Sequence, residues 1–304
     1  MLYRLDGSNI LRLKPAMKTL LTEMDIPPAS ADYILRRVAR TLLPGGKATI
    51  AAFDRGGRRI GYTLGMNGLS MAPSCRFFLL HAPDAVGDIG FLLESIVAEA
   101  RMDDRVSLFT EVEEEDRHTR MALEAAGFAL CFTENAVTIP VPSAGGPAAA
   151  EGIQSFRDFF GAPSLARLAS VCHLYRSAYP DVPTSSDVGD IPEEFSLGEL
   201  QDSDVMPDAS FFALDDGHPV GLIQTVRRGG DDAAPNIELV LVSPEYRNRG
   251  IGSRLVDAAL AALAPQGYRE VSSLTWGGNS GMNATFARRG GKTGSAYLTY
   301  SLTP

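Results

Sequence analysis

Apolar and polar positions along the chain fall into two successive rounds of the same pattern. In the second round, residues 163–179 carry apolar side chains at helical spacing. Residues 180–207, rich in Pro, Ser and Asp, read as a long loop. Apolar runs at 210–215 and 219–226 flank Asp216-Gly217, the signature of a hairpin turn. A third run, 237–242, leads into an amphipathic helix at 251–264, which Pro265 and Gly267 close. A strand at 270–275, a short helix near 280–288 and a strand at 295–302 complete the round.

The first round has the same order. Residues 10–43 hold two helical patterns, and strands 48–54 and 58–66 meet at Arg55-Gly56-Gly57. A strand at 76–81, a helix at 86–100 and a strand at 105–112 follow. A short helix at 117–126, stopped by Gly127, precedes a strand at 128–139. Between the rounds, residues 143–152 (SAGGPAAAEG) are almost all small or turn-forming, the composition of a connector. The expected division is therefore a domain at 1–142, a linker at 143–152 and a domain at 153–304.

Composition narrows the function. With 45 % hydrophobic and 21 % charged residues in 304, the chain is an ordinary folded protein rather than a disordered one. A net charge of −9 argues against binding the phosphate backbone of nucleic acids. That acidity would suit a cationic small substrate, but ordinary cytoplasmic solubility is the simpler reading. Cys75, Cys131 and Cys172 show neither metal-binding nor disulfide spacing, and the four histidines are scattered. No signal peptide or run of about 18 apolar residues appears, so a cytoplasmic, membrane-free protein without a metal is expected.

The chemistry concentrates in Leu239-Val-Leu-Val-Ser-Pro-Glu-Tyr-Arg-Asn-Arg-Gly-Ile-Gly-Ser-Arg-Leu255. An apolar strand ends at Pro244, Arg247-x-x-Gly250-x-Gly252 turns the chain, and a helix starts at once. Unpaired first-turn amides and the helix dipole make such a junction an anion cradle for phosphate or pyrophosphate. Arg247 and Arg249 add mobile positive charge at its rim. Leu255 stands where the third Rossmann glycine belongs, and Ser253-Arg254 is not the Lys-Ser/Thr of a P-loop.

Strand, proline, arginine, two glycines and helix together resemble motif A of the GNAT superfamily, the acyl-CoA-dependent N-acyltransferases. Asn279, ahead of a short helix ending at Gly290, extends the resemblance. Glu111-Val112, Asp116 and Ala125-Ala-Gly-Phe128 extend it to the first half. There, however, His81–Gly90 lacks an arginine and puts Asp84 and Asp88 where an anion would sit. The resemblance implies an α/β (α+β) fold of two tandem GNAT domains. Each is a mixed, mostly antiparallel sheet flanked by helices, and the N-terminal one is degenerate. In layout alone this is similar to tandem GNAT proteins such as mycothiol synthase.

The same resemblance implies acetyl-CoA as co-substrate and a small-molecule amine as acceptor, attacked directly in a ternary complex, in a monomer or homodimer. It places Val240, Leu241 and Val242 along the pantetheine arm. Asn248, Arg249, Gly250, Ile251, Gly252 and Ser253 surround the pyrophosphate, and Asn279 reaches the cofactor. It places Val242 as oxyanion donor. Phe286 and Leu274 stand at the positions where the family commonly has a tyrosine acid and a glutamate. Glu238, Asn236 and Tyr297 are the substitute catalytic candidates. Ser280 reads as a helix N-cap, with a proton donor as the alternative, and Trp276 as a core aromatic, with a shaper of the substrate pocket near the acyl end as the alternative. A non-catalytic acyl-CoA-binding regulator or partner-binding module, or transfer of another acyl group, are the alternatives.

Overall fold

A computed structural model describes residues 2–5, 18, 21–22, 48–55, 58–67, 74–81, 87–102, 107–143, 151–161, 165–178, 200, 204–227 and 234–303. Most of the helical patterns of 10–43, the turn at Gly56-Gly57, the connector 144–150 and most of the loop 180–207 lie outside them. The described residues form two compact units. One holds those up to Thr133 together with Ser295 onward, and the other those from Glu134 to Gly294.

In the first unit, strands β1 (Leu2–Leu5), β2 (Ala48–Arg55), β3 (Arg58–Asn67) and β4 (Ser74–His81) pair antiparallel in sequence order. Strand β5 (Ser107–Glu113) joins β4 in parallel, which requires the intervening helix α1 (Ile89–Met102) as crossover. Helix α2 (Arg117–Ala125) is capped by Asp116, whose carboxylate accepts from the Thr119 amide at 3.1 Å. Phe77, Ile89, Leu93, Leu108, Leu123 and Phe128 are among the residues of its core.

The second unit contains the end of β6 (Ala129–Pro140), β7 (Ile153–Ser155), β8 (Phe211–Asp215), β9 (His218–Arg227), β10 (Pro235–Val242) and β11 (Glu270–Trp276). The spatial order is β6-β11-β10-β9-β8-β7, antiparallel throughout except for β10 with β11. Helices α3 (Phe156–Gly161) and α4 (Leu165–Ala178) cover one face with Phe156, Phe159, Val171 and Leu174. Helices α5 (Ile251–Leu263) and α6 (Ser280–Ala287) cover the other, with Ile251, Leu255, Ala259 and Phe286 in the core. The mixed, mostly antiparallel sheets flanked by helices agree with the expected fold class.

The units differ from the expected halves in their final strands. Residues 134–140 of β6 pair with β11 in the second unit (Glu134 opposite Trp276, Pro140 opposite Glu270). The last strand, β12 (Lys292–Leu302), pairs from Tyr297 onward with β5 in the first unit, Tyr297 lying opposite Glu113. Each half of the sequence thus contributes its final strand to the other's unit. Among the described residues no helix is long and apolar enough to cross a membrane.

Candidate functional site

Strand β10 is bulged and then left with an open edge. Ile237 pairs with Thr225 and Leu239 with Gln224, so Glu238 is an extra residue. A bulge of this kind resets the alternation of side chains. Ile237, Val240 and Val242 accordingly pack with the α5 cluster, whereas Leu239 and Leu241 pack with α4. An apolar run that would leave every second residue on the wrong face instead buries both sets.

The β10–β11 ladder runs only from Asn236 opposite Ser272 to Ile237 opposite Ser273. The Ser273 hydroxyl donates to the Ile237 carbonyl at 3.0 Å and closes this last rung. Beyond it β10 stays with β9, and β11 stays with β6. The Ser243 amide donates to Val220 of β9 at 2.9 Å. By alternation, the peptide groups of Val240 and Val242 point the other way, to the side that β11 has left. The Val242 carbonyl there accepts from Arg247 Nε at 3.0 Å. Amides of Val240 and Val242 along an unpaired edge are what an extended chain with amide groups can add to as a strand.

The chain leaves β10 through a 3-10 turn, Pro244–Tyr246, and passes Asn248 at φ 61° and Gly250 at φ 74°. Asn tolerates the left-handed region and Gly occupies it without cost. Gly250 caps α5 without a side chain. Arg254 donates back to the Gly250 carbonyl at 3.0 Å, while the amides of Ile251, Gly252 and Ser253 precede any intrahelical acceptor. A Cβ on Gly252 would stand 3.7 Å from Met282, 3.9 Å from Val242 and 4.0 Å from Val240, so the glycine leaves a methyl-sized space above the open strand edge. Three amides with no acceptor among the described residues, a helix N-terminus and that space are a donor set that fits a pyrophosphate and the chain attached to it.

The two rim arginines are anchored, unlike the mobile charges expected. Besides Arg247 on Val242, Arg249 donates to the Glu245 carbonyl at 2.8 Å and lies 5.1 Å from the Tyr246 ring centre. Tyr246 in turn donates to Asp215 at 2.7 Å, and that carboxylate holds the phenol above its usual pKa. Glu245 is held below the usual carboxylate range, first by its own backbone amide and next by the Ser243 hydroxyl.

The candidate proton carriers separate. Glu238 sits at the bulge itself. Asn236 Nδ2 donates to Ser272 Oγ at 2.9 Å within the paired part of β10. Tyr297 belongs to the first unit, where burial, then Glu113 and Glu115, hold its phenol above the usual pKa. Phe286 is buried in the α5 core. Asn279, not Ser280, caps α6: its Oδ1 accepts from the Met282 amide at 3.1 Å, because the βα turn ends one residue earlier than the serine suggests. That bond uses the oxygen and leaves Asn279 Nδ2 as its remaining donor group.

Trp276 and Leu274, expected in the core and at a usual carboxylate position, are 40 % and 45 % exposed. Their buried neighbours Ser273 and Thr275 face α5 and α6, so the pleat turns Leu274 and Trp276 to the opposite side.

Two supporting residues escape sequence reading. Asn283 on α6 donates to the carbonyls of Trp276 (3.2 Å) and Gly277 (3.1 Å) and accepts from Thr275 Oγ1 at 3.0 Å, pinning β11 to the helix. Arg289 joins the end of α6 to the first turn of α5 through Ser253 and to Asp257 at 2.7 Å. Asn283 lies within α6 and Arg289 in the turn that follows it, and neither belongs to a motif of its own.

Residues 168–290 match the model of the Acetyltransferase (GNAT) family. A GCN5-related N-acetyltransferase from Sphaerobacter thermophilus superimposes with a TM-score of 0.66 at 17 % identity, over 99 % of this chain and 95 % of that one. A tandem GNAT protein from the clavulanic acid biosynthesis pathway gives 0.67 at 17 % identity, over 99 % and 98 % of the two chains. A GNAT-family acetyltransferase from Colwellia psychrerythraea gives 0.57 at 11 % identity, over 99 % of each. At these identities the likeness is one of fold, and it extends over both units. No curated protein matches the sequence.

Proposed function

We propose that this chain, which carries a GNAT acetyltransferase domain at residues 168–290 within a tandem GNAT fold, moves an acetyl group from acetyl-CoA to the primary amine of a small molecule. One observation carries the reading: the open edge of β10 runs directly into an unpaired helix N-terminus. A strand-like arm ending in a pyrophosphate is the ligand shape those two features share.

In this reading the amides of Ile251, Gly252 and Ser253 hold the pyrophosphate, with Asn248, Arg249 and Gly250 shaping the cradle. Val240 and Val242 pair with the arm, and Leu241 fixes the strand from the opposite face. Arg247 keeps the turn closed on Val242, and Asn279 Nδ2 supplies a further donor. The bound thioester supplies an activated acyl group. The Val240 amide, the open-edge donor farther from the cradle than Val242, stabilises negative charge developing on the acyl carbonyl oxygen, a task suited to a fixed backbone donor. Glu238, displaced from the ladder by the bulge, accepts a proton from the attacking amine as the C–N bond forms; the C–S bond breaks, and coenzyme A leaves as a thiolate that takes a proton from water. Asn236 holds β10 to β11 just ahead of the split. Tyr297 takes no part in this assignment. The protein acts in the cytoplasm as a monomer or homodimer.

A second reading, a non-catalytic acyl-CoA-binding protein, draws on Phe286 and Leu274, which carry no proton-transfer group. Release of free thiol from acetyl-CoA over a panel of small amines tests the proposal. Amine-dependent release supports transfer. Acetyl-CoA binding measured by calorimetry without release on any amine supports the second reading.

A further inference from the structure

The face of β11 turned away from α5 and α6 carries an apolar platform with a carboxylate at its edge. Leu274 and Trp276 are 45 % and 40 % exposed and two residues apart, hence on one face of the strand. Both lie on the stretch of β11 that has parted from β10. Exposing a leucine and an indole side by side on a strand is costly in water unless something covers them.

The indole is held in place. A Cβ on Gly278 would lie under 3 Å from three carbons of the ring, so the ring packs against Gly278. Directly across the β6–β11 ladder stand Glu134, opposite Trp276, and Ala136, opposite Leu274. Residues directly opposite in an antiparallel pair share a face. The face of an aromatic ring offers a broad apolar surface to another aromatic or branched group. Leu274 and Ala136 extend the surface with apolar atoms only.

We propose that Trp276 and Leu274 set acceptor specificity, selecting a primary amine with an apolar, aromatic or branched body over a hydroxylated one. The amine end points toward the split from β10, where Glu238 takes its proton, and the apolar body lies over Trp276, Leu274 and Ala136. This inference rests on the acyl-transfer reading for its kinetic consequence but not for its binding consequence.

The sequence contains one tryptophan, so the emission of the intact protein reports on Trp276 alone. The experiment has two arms, using 2-phenylethylamine as the apolar amine and ethanolamine as the polar one. In the binding arm, with coenzyme A present so that no transfer occurs, 2-phenylethylamine shields Trp276 from acrylamide quenching and ethanolamine does not. In the kinetic arm, with acetyl-CoA, kcat/KM is higher for 2-phenylethylamine. The Trp276→Gln and Leu274→Gln variants, altered at exposed positions, raise its KM about tenfold with kcat unchanged. Equal shielding by the two amines, or equal kcat/KM, overturns the inference. Cofactor binding without transfer to either amine contradicts the acyl-transfer reading, and the quenching arm still decides the platform.

Discussion

Arg289 places one guanidinium nitrogen on Ser253 twice, donating to its carbonyl oxygen at 2.9 Å and to its hydroxyl at 2.7 Å. A second nitrogen reaches the Thr285 carbonyl at 2.7 Å, and Nε reaches Asp257. Because Ser253 Oγ accepts from Arg289, its own hydrogen is free to turn toward an anion at the helix N-terminus. Arg289 is therefore a positioning residue for the first turn of α5. Hydrogen bonds from charged groups are worth about 1.5–3 kcal/mol. Arg289→Ala is expected to weaken coenzyme A binding about tenfold or more by calorimetry, and Arg289→Lys, which loses the planar fork, by somewhat less. A lower melting temperature with unchanged affinity in both variants would show that the contact is structural alone.

Gly250 and Gly252 answer to different requirements. Gly250 has φ 74° and open space around it, so Gly250→Ala is expected to cost about 1 kcal/mol of stability through backbone strain. Gly252 has ordinary helical geometry, and a Cβ there makes ordinary contacts at 3.7–4.0 Å. Gly252→Ala should keep or slightly raise the denaturation midpoint, since alanine is the better helix former. It should nonetheless weaken coenzyme A binding by filling the space above Val240 and Val242. Chemical denaturation and calorimetry on the two variants separate strain from occlusion.

A methyl group at Gly278 meets the Trp276 ring under 3 Å. Gly278→Ala is therefore expected to swing the indole off its seat. The check is a changed emission maximum of the single tryptophan. An unchanged spectrum would mean that the ring already stands clear of the glycine.

The amphipathic pattern made most of the described elements legible, and the glycine spacing made the turn into α5 legible. What stayed hidden is instructive. Ile237-Glu-Leu-Val-Leu-Val reads as one continuous strand, yet Glu238 bulges out and reverses which residues face α5. Nothing in an apolar run marks where its register shifts, because both faces of the strand are buried. The exchange of β6 and β12 between the units was equally silent. A strand's alternation fixes its faces but not its neighbour, and Tyr297 went with β5 for that reason. Trp276 illustrates the reverse error: a lone large aromatic is read as core by default, but strand parity exposes it. Asn279 and Ser280 are both good caps, and only the turn geometry chooses between them.

The second unit also carries a charge pair whose effect follows pH. Arg157 on α3 forms a two-pronged contact with Asp208, one prong Nη2 to Oδ2 at 2.7 Å, and holds that carboxyl below its usual range. A carboxyl depressed in the folded state stabilises it above the unfolded pKa. That contribution is lost as pH falls through the depressed value. Both side chains are more than half exposed, so the effect is small and screened by salt. Asp208→Asn should lower the denaturant midpoint slightly at neutral pH and low salt, and leave it unchanged in strong acid. An equal loss at both pH values would mean that the pairing is not electrostatic.

The central claim is that an open strand edge and a bare helix N-terminus together present an acyl thioester to an amine. Its most direct test is the appearance of free coenzyme A thiol when wild-type protein is mixed with acetyl-CoA and a small primary amine, beside a Gly252→Val variant. Thiol release that depends on the amine, and that the valine variant loses while remaining folded, is the predicted result. Release that persists unchanged in the valine variant would contradict the placement of the cofactor on β10 and α5.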